Sequence, residues 1–303
     1  MSTVLSIEGK KATDLEVLSE AAADNLVLIH DGSGLKTIAV SDVFFLYHGS
    51  GAQQHNGIFR GKDLTDVYTI DELSEKVLSG DFSDLYIGDY ITVSITTSYG
   101  GTEEVDLVIA AFDYFLGSGS PETEDHNIAF VVRDCFATTA AMNSSSSTSG
   151  GYAGSDMCST VLPVYATALN SALDDHILNH YRYLTTTVST SADSAAGAGL
   201  TGSSAACTWT AVDLCLMSEA MVFGGSAFSS SGRDISDACI QLPLFALAPN
   251  YRIAGQGKGG DRCAWWLCGV ASSTSFCFCG NNGDANCASA SGTTGVRPYF
   301  LFA

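Results

Sequence analysis

The sequence predicts an α+β protein in two parts, a small acidic α/β anchoring unit over residues 1–85 and a larger mixed domain over residues 86–303. Three observations point there. Apolar and polar residues alternate over Tyr90–Thr97, where Ile91, Val93 and Ile95 share one face, the mark of a half-buried strand. Short apolar runs bounded by Gly, Asn and Ser recur at 105–115, 127–133, Trp265–Val270, Ser275–Cys279 and 296–302, and each reads as a strand. The best helical stretch is 155–184, where Leu162, Tyr165, Ala166, Leu169 and Leu173 keep a 3.6-residue spacing.

In order along the chain, Thr13 caps a short helix through Ala23, with Glu16 completing a capping box. Leu26–His30 and residues 36–40 flank Asp31-Gly32-Ser33-Gly34 and read as a β-hairpin. Residues 41–47 continue extended, 48–56 form a Gly/Gln/His loop, and 71–78 form a helix ended by Gly80. In the larger part, the turn at Tyr99-Gly100-Gly101 joins the first two strands. Residues 143–151 are a Ser/Gly loop, and Pro163 sits in the first turn of the helix or kinks it. A small-residue loop at 192–206, a short buried element at 212–223, the apolar residues 242–248 and a glycine run at 255–260 lead to the three closing strands.

The net charge is −20, of which residues 1–130 carry −16 and residues 131–303 carry −4. With no basic stripe, the chain is not expected to bind nucleic acid, and its first part repels anionic membranes. No segment reads as a transmembrane helix, and residues 1–13 lack a basic-then-apolar signal, so synthesis in the cytoplasm without a signal peptide is expected. Of ten cysteines, five (Cys263, Cys268, Cys277, Cys279 and Cys287) fall within 25 residues. Their gaps do not fit paired zinc ligands, and no histidine follows His180. Gly255-Gln256-Gly257-Lys258-Gly259-Gly260 has the letters of a dinucleotide loop but precedes a strand-like segment rather than a helix, so it reads as a flexible loop. His176 and His180, four apart on the expected helix, read as an exposed face, and Asn281-Asn282-Gly283-Asp284 reads as a hairpin turn rather than a calcium loop. Without a nucleophile elbow, a phosphate loop or a Cys–His pair, no catalytic residue, metal or cofactor is expected, and the chain does not read as an enzyme. Cys277 and Cys279 read as unpaired, solvent-facing thiols, because alternation along Ser275–Cys279 gives Phe276 and Phe278 to the core.

A series of short motifs runs through the larger part. It comprises Ile87-Gly88-Asp89-Tyr90, Ile109-Ala110-Ala111-Phe112-Asp113, Ala141-Met142-Asn143, Gly151-Tyr152-Ala153-Gly154-Ser155-Asp156-Met157 and Asp213-Leu214-Cys215-Leu216-Met217-Ser218-Glu219. It ends on Trp265-Trp266-Leu267, Phe276, Gly283 and Gly295-Val296-Arg297-Pro298-Tyr299-Phe300. Over residues 87–303 this resembles the phage and prophage domains that end in W-L-R-S … G-V-R-P-x-F, which belong with the C-type-lectin-like, formylglycine-generating-enzyme-like folds. Cys268-Gly269 stands where that family usually shows Arg-Ser.

The resemblance implies a C-type-lectin-like domain over 86–303 with a variable region at about 262–297 of the kind rewritten by diversity-generating retroelements. Those systems alter template adenines, so Asn and Tyr codons become codons for Cys, Gly, Ala, Ser, Thr, Asp or Phe, and never Lys, Glu, Gln, Met or Trp. Residues 268–295 contain none of those five, and tyrosine codons turned to cysteine codons account for the thiol cluster. Trp265, Trp266, Leu267, Val296 and Phe300 would be the framework. Cys263, Cys268, Gly269, Ala271, Ser275, Cys277, Cys279, Gly280, Asn281, Asp284, Asn286, Cys287 and Ser289 would form one ligand-binding face. Small adaptable side chains suit such a face, as in antibody loops. The implied protein is a virion receptor-binding protein, with a host cell-surface protein or glycan as ligand. It would be held to other virion proteins through residues 1–85 and built as a homotrimer. A non-diversified decoration or fibre protein, or a formylglycine-type oxidase using Cys277 and Cys279, would be the alternatives.

Overall fold

The computed structural model describes residues 26–30, 35–39, 52–189, 205–229 and 240–303. The expected helix at 13–23, the turn at 31–34, the extended run at 41–47, residues 48–51 and most of the loop at 192–206 lie outside these residues, and of the loop expected at 48–56 residues 52–55 are helical instead. The chain divides into two compact units, 1–49 and 50–303. In the first, β1 (Leu26–His30) and β2 (Leu35–Ala39) pair antiparallel from Leu26↔Ala39 to His30↔Leu35, the hairpin expected from the sequence.

The second unit mixes helix and strand, as the α+β reading requires, and its boundary corrects the expected division at residue 85. It opens with α1 (Ala52–His55) and α2 (Ile70–Leu78). Thr69 caps α2 and exchanges hydrogen bonds with Glu72 in a capping box, and Gly80 follows at φ 71°. The acidic surface of this segment hides an inward stripe. Leu64, Leu73, Val77, Phe82 and Leu85 are all buried in the same core as the later strands. Buried Asp89 then fixes the segment's course by accepting from Arg60 Nε at 3.0 Å and Nη2 at 2.6 Å, and from the Lys62 and Tyr86 amides at 2.8 and 2.9 Å. A carboxylate taken out of water needs such saturation.

β3 (Tyr90–Thr97) and β4 (Gly101–Phe112) follow as an antiparallel pair, then β5 (Ile128–Val132). Ile91 and Ile95 are buried, as the alternation predicts, whereas β4 is buried at every residue from Val105 to Phe112 because both its faces are covered. After β6 (Ala140–Ala141), a π-helical turn at Met157–Val161 enters α3 (Leu162–Ala172), with Pro163 in its first turn.

The expected helix to residue 184 is therefore cut short. Asp174 and Asp175 take left-handed backbone conformations, φ 49° and 65°, and break the helical path. The chain then runs as β7 (Ile177–Leu178) and β8 (His180–Val188), the latter paired with β9 (Ala205–Val212). His176 and His180 are consequently not neighbours on a helix. His176 bonds Asp71 and Ser74, and His180 is buried against Tyr299 at 2.9 Å.

β10 (Leu214–Leu216), α4 (Glu219–Phe223), α5 (Pro243–Leu247) and a 3₁₀ turn at Pro249–Arg252 lead to β11 (Ala254–Gly255) and β12 (Arg262–Cys263). The last strands are β13 (Trp265–Val270), β14 (Ser275–Cys279), β15 (Ala285–Ser289), β16 (Thr293–Thr294) and β17 (Pro298–Phe302). The main sheet has the order β10-β17-β5-β4-β3, with β7 also on β17, and β13-β14-β15 form a second sheet. Trp265, Trp266, Leu267, Val296 and Phe300 are all buried, so the closing residues are core and not a tail. Among the described residues, no helix is long and apolar enough to cross a membrane.

Two tests follow from this packing. A chain beginning at Ser50 should fold cooperatively in thermal melts. One beginning at residue 86 should not, because it uncovers the core surface under Leu73, Val77 and Phe82. The second test concerns His180. Burial, and secondarily the Arg182 cation, lower its pKa from 6.5 to about 3. The unfolded chain thus binds a proton near pH 6.5 that the folded chain refuses until about pH 3. The neutral ring's contribution is present above pH 6.5 and is lost as pH falls through that window, about 2 kcal/mol by pH 5. His180→Gln should therefore flatten the loss of stability between pH 7 and 5, measured by denaturant melts at each pH.

Candidate ligand-binding face

Twelve of the thirteen candidate residues lie on β13, β14 and β15 or their turns, and burial divides them. Asn281, Asp284, Asn286 and Ser289 are exposed, and Cys263, Ser275 and Cys287 are half-buried. Cys268, Gly269, Ala271, Cys277, Cys279 and Gly280 are buried. The alternation along β14 is real, but the expected sense is wrong for the cysteines. Cys277 and Cys279 have no exposed surface, whereas Phe278, on the opposite face, is half-buried and meets Trp266 edge-on at 6.1 Å.

The cause is a cover that the sequence reading missed. Ser218 caps α4, and Glu219 in its first turn is completely buried. Its carboxylate accepts from the amides of Ala227 at 3.1 Å, Phe228 at 3.0 Å and Ser229 at 2.7 Å, and from the Ser229 hydroxyl at 2.7 Å. One side chain thereby folds residues 227–229 back over the sheet. A Cβ added at Gly269 would stand 2.9 Å from Ser229 Cβ and 3.2 Å from Cys277 Sγ, so the covering segment, the glycine and the thiol are in close contact. Further along the same face, Cys279 Sγ lies 3.4 Å from the Arg252 carbonyl, which also accepts from Trp265 Nε1 at 2.9 Å. Burial pushes the Cys279 thiol up to about 12. The signal for this cover was a lone acid, Glu219, within an apolar run.

What stays outside is the end of the sheet. Gly280 to Asp284 turn the chain from β14 to β15, with the Gly280 amide donating to the Asp284 carbonyl at 2.7 Å, which is the expected hairpin turn. Gly283 takes φ 82°, and any Cβ at Gly280 would collide with the Asp284 carboxylate, 2.1 Å away. β15 then presents Asn286 and Ser289 outward. The exposed Ser144–146 segment meets Ser289 at the far end of β15, where Ser146 Oγ lies 2.5 Å from Ser289 Oγ, which in turn lies 3.1 Å from Ser291 Oγ.

The serine loop is fixed from beneath. The Asn143 amide donates to the Ala290 carbonyl at 2.9 Å, and Thr148 donates through its amide to Ser273 at 3.0 Å and through its hydroxyl to Ser272 at 2.7 Å. Asn281 and Asp284 thus lie at the 280–284 turn, whereas Ser289, paired with Ser275 at the other end of β15, meets the Ser144–146 segment, which reads from composition only as a loop; Asn286, three residues from Ser289, lies on the opposite side of the strand.

Cys263 departs from the cluster. It sits on β12 with its Sγ 3.2 Å from that of Cys135, just beyond β5. The expectation of five sampled thiols without partners is corrected here, since Cys263 has a thiol neighbour 128 residues away in the chain. Of the candidate thiols, Cys287 is half-buried, and burial followed by the nearby Glu219 charge raises its pKa.

Native-state alkylation should separate these thiols. Cys287 is expected to react at least about tenfold faster than Cys277 in the folded protein, because only an accessible sulfur can be attacked. Glu219→Gln places an amide donor among backbone donors and should cost roughly 2–3 kcal/mol. It should also release the cover, so that Cys277 alkylates at nearly the rate of Cys287 in peptide-resolved mass spectrometry. No protein-family model, curated protein or solved structure matches the chain.

Proposed function

We propose that this chain is a non-enzymatic receptor-binding protein of a phage-type particle, presenting a polar face on a C-type-lectin-like domain. The observation that carries this reading is the exposed set Asn281, Asp284, Asn286 and Ser289 on β15 and the turn before it, with the Ser144–146 loop beside Ser289. It is exposed and short-chained, and is held on a frame of buried Trp265, Trp266, Phe276, Val296 and Phe300. Side chains on such a rim can be exchanged without disturbing the packing, which is what a ligand-selecting surface needs. Small polar side chains also lose little entropy on binding and adapt their hydrogen bonds to a glycan or a protein loop. The charge of the chain argues against a nucleic-acid ligand. In this reading the chain is a homotrimer anchored in the particle through its first compact unit, residues 1–49.

The face is narrower than the full cysteine-rich segment. Cys268, Cys277 and Cys279 are core residues, so exchanging them costs packing energy, whereas exchange at the rim does not. Their burial favours a second reading, a fixed decoration protein whose C-terminal segment is not diversified. The two separate in one experiment. A library varied at 281, 284, 286 and 289 is scored for adsorption to host cells and for thermal midpoint. The receptor reading expects changes in adsorption of tenfold or more, on the order of 1.4 kcal/mol, at nearly constant midpoint. Adsorption that is the same across the library, or absent throughout, would leave the decoration reading.

A further inference from the structure

Cys135 and Cys263 are brought together by backbone pairing on both sides. Ala254 pairs with Cys263 across β11 and β12, and the Cys135 amide donates to the Gly255 carbonyl at 2.9 Å while its carbonyl accepts from the Gly257 amide at 3.0 Å. The hairpin at 254–263 is thus clamped to the chain leaving β5, and the two sulfurs face each other at 3.2 Å. That is hydrogen-bond contact between thiols and longer than a disulfide bond of about 2.05 Å. A small closing movement would make the bond.

The surroundings make the two sulfurs unequal. Cys135 is buried, and a Cβ at Gly295 would stand 2.5 Å from its Sγ, so glycine is needed there to admit the thiol. Cys263 is half-buried, between exposed Arg262 and half-buried Ala264. Behind the pair lies Arg297, fully buried, whose Nε and Nη1 donate to the Val132 and Tyr251 carbonyls at 2.8 and 2.7 Å. Its Nη2 has no hydrogen-bond partner among the described residues, and its positive charge acts on both thiols. The hydrogen bond with Cys135 and the Arg297 charge hold the Cys263 thiol below its ordinary range, while burial holds Cys135 above its own.

We propose that Cys135 and Cys263 form a thiol–disulfide exchange site that reacts with a low-molecular-weight disulfide and closes to an intramolecular disulfide, with Cys263 as the attacking sulfur, reached from solvent. The Cys263 thiolate attacks one sulfur of the incoming disulfide, forming a mixed disulfide and expelling one thiolate, which takes a proton from water. Cys135 then gives up its proton to water as its sulfur attacks Cys263 Sγ, and the second small thiolate leaves and takes a proton from water. The protein dithiol loses two electrons, and the small disulfide gains them to become two thiols. The new bond ties the end of β5 to the hairpin that feeds β13, across 128 residues of chain. This inference is independent of the receptor-binding reading, since it needs neither a ligand nor an exposed rim.

The test treats the folded, reduced full chain with oxidised glutathione, followed by acid quench and non-reducing peptide mapping. The expected product is a peptide pair joined through Cys135 and Cys263, with no glutathione retained at either residue. Cys135→Ser should trap glutathione on Cys263 as a stable mixed disulfide, whereas Cys263→Ser should leave Cys135 unmodified, because it is reached only through its partner. The wild-type map stands without the variants should either fail to fold. Recovery of both thiols unmodified from the wild type, or of Cys263 joined to a different cysteine, would overturn the proposal. So would glutathione retained on Cys263 in the wild type, because Cys135 would then not resolve it.

Discussion

The last strand of the chain is an interior strand of the main sheet. β17 bonds β5 through Tyr299↔Val131 to Phe302↔Ile128 along one edge. Its other edge is shared by β10, through Leu214↔Phe300, and by β7, through Leu301↔Leu178. Tyr299, Phe300, Leu301 and Phe302 have no exposed surface, and large apolar side chains contribute about 1.5–3 kcal/mol each on burial. The sheet is therefore incomplete until the final residues are in place. Any segment inserted between β13 and β17 is spanned by two rigid anchors. That constraint explains how residues 271–295 can be rich in Ser, Gly and Asn and still be ordered. Their ends are fixed by Trp265–Val270 and Pro298–Phe302, and their interior by hydrogen bonds to the 143–148 loop.

Three buried charges organise what the strands alone do not. Asp89 gathers Arg60 and the amides of Lys62 and Tyr86, Glu219 gathers the amides of 227–229, and Arg297 joins the carbonyls of Val132 and Tyr251. Arg297 also lies 4.8 Å from the Trp265 ring centroid, so its cation sits on the framework aromatic as well. Asp89 and Glu219 have hydrogen bonds enough to offset much of their desolvation, and Asp89 and Arg297 join segments distant in sequence. They fix where loops lie, and the loop placed by Glu219 covers the Cys277 side of β14.

The contrast between what was legible in the sequence and what was not follows from range. Trp265–Val270, Ser275–Cys279 and the hairpin at Leu26–His30 were readable because apolar runs between turn residues report local strand geometry. The capping of α2 by Thr69 went unseen although Glu72 completes the box, a local signal that was available. The helix was overextended to 184 because Tyr181, Tyr183 and Leu184 are compatible with either period. Pairing with β9 overrode propensity there, once Asp174 and Asp175 had turned the backbone. The division at 85 failed because an acidic exterior concealed the inward stripe of Leu73, Val77 and Phe82.

The candidate face shows the same limit more sharply. Alternation told correctly that Cys277 and Cys279 share a side of β14 and that Phe276 and Phe278 share the other. It carries no information on which side is covered, because the period of a strand is symmetric about its plane. Hydrophobicity usually breaks that symmetry, and here it misled, since cysteine is itself among the most buried residue types and packs as a small apolar group. At Cys277 the cover comes from residues 227–229, more than forty positions upstream of β14, through a carboxylate whose partners are all backbone amides or a serine hydroxyl, and at Cys279 it comes from Arg252. A thiol cluster in sequence is thus three different things in space: core filling at Cys268, Cys277 and Cys279, a half-covered edge at Cys287, and one half of a distant pair at Cys263.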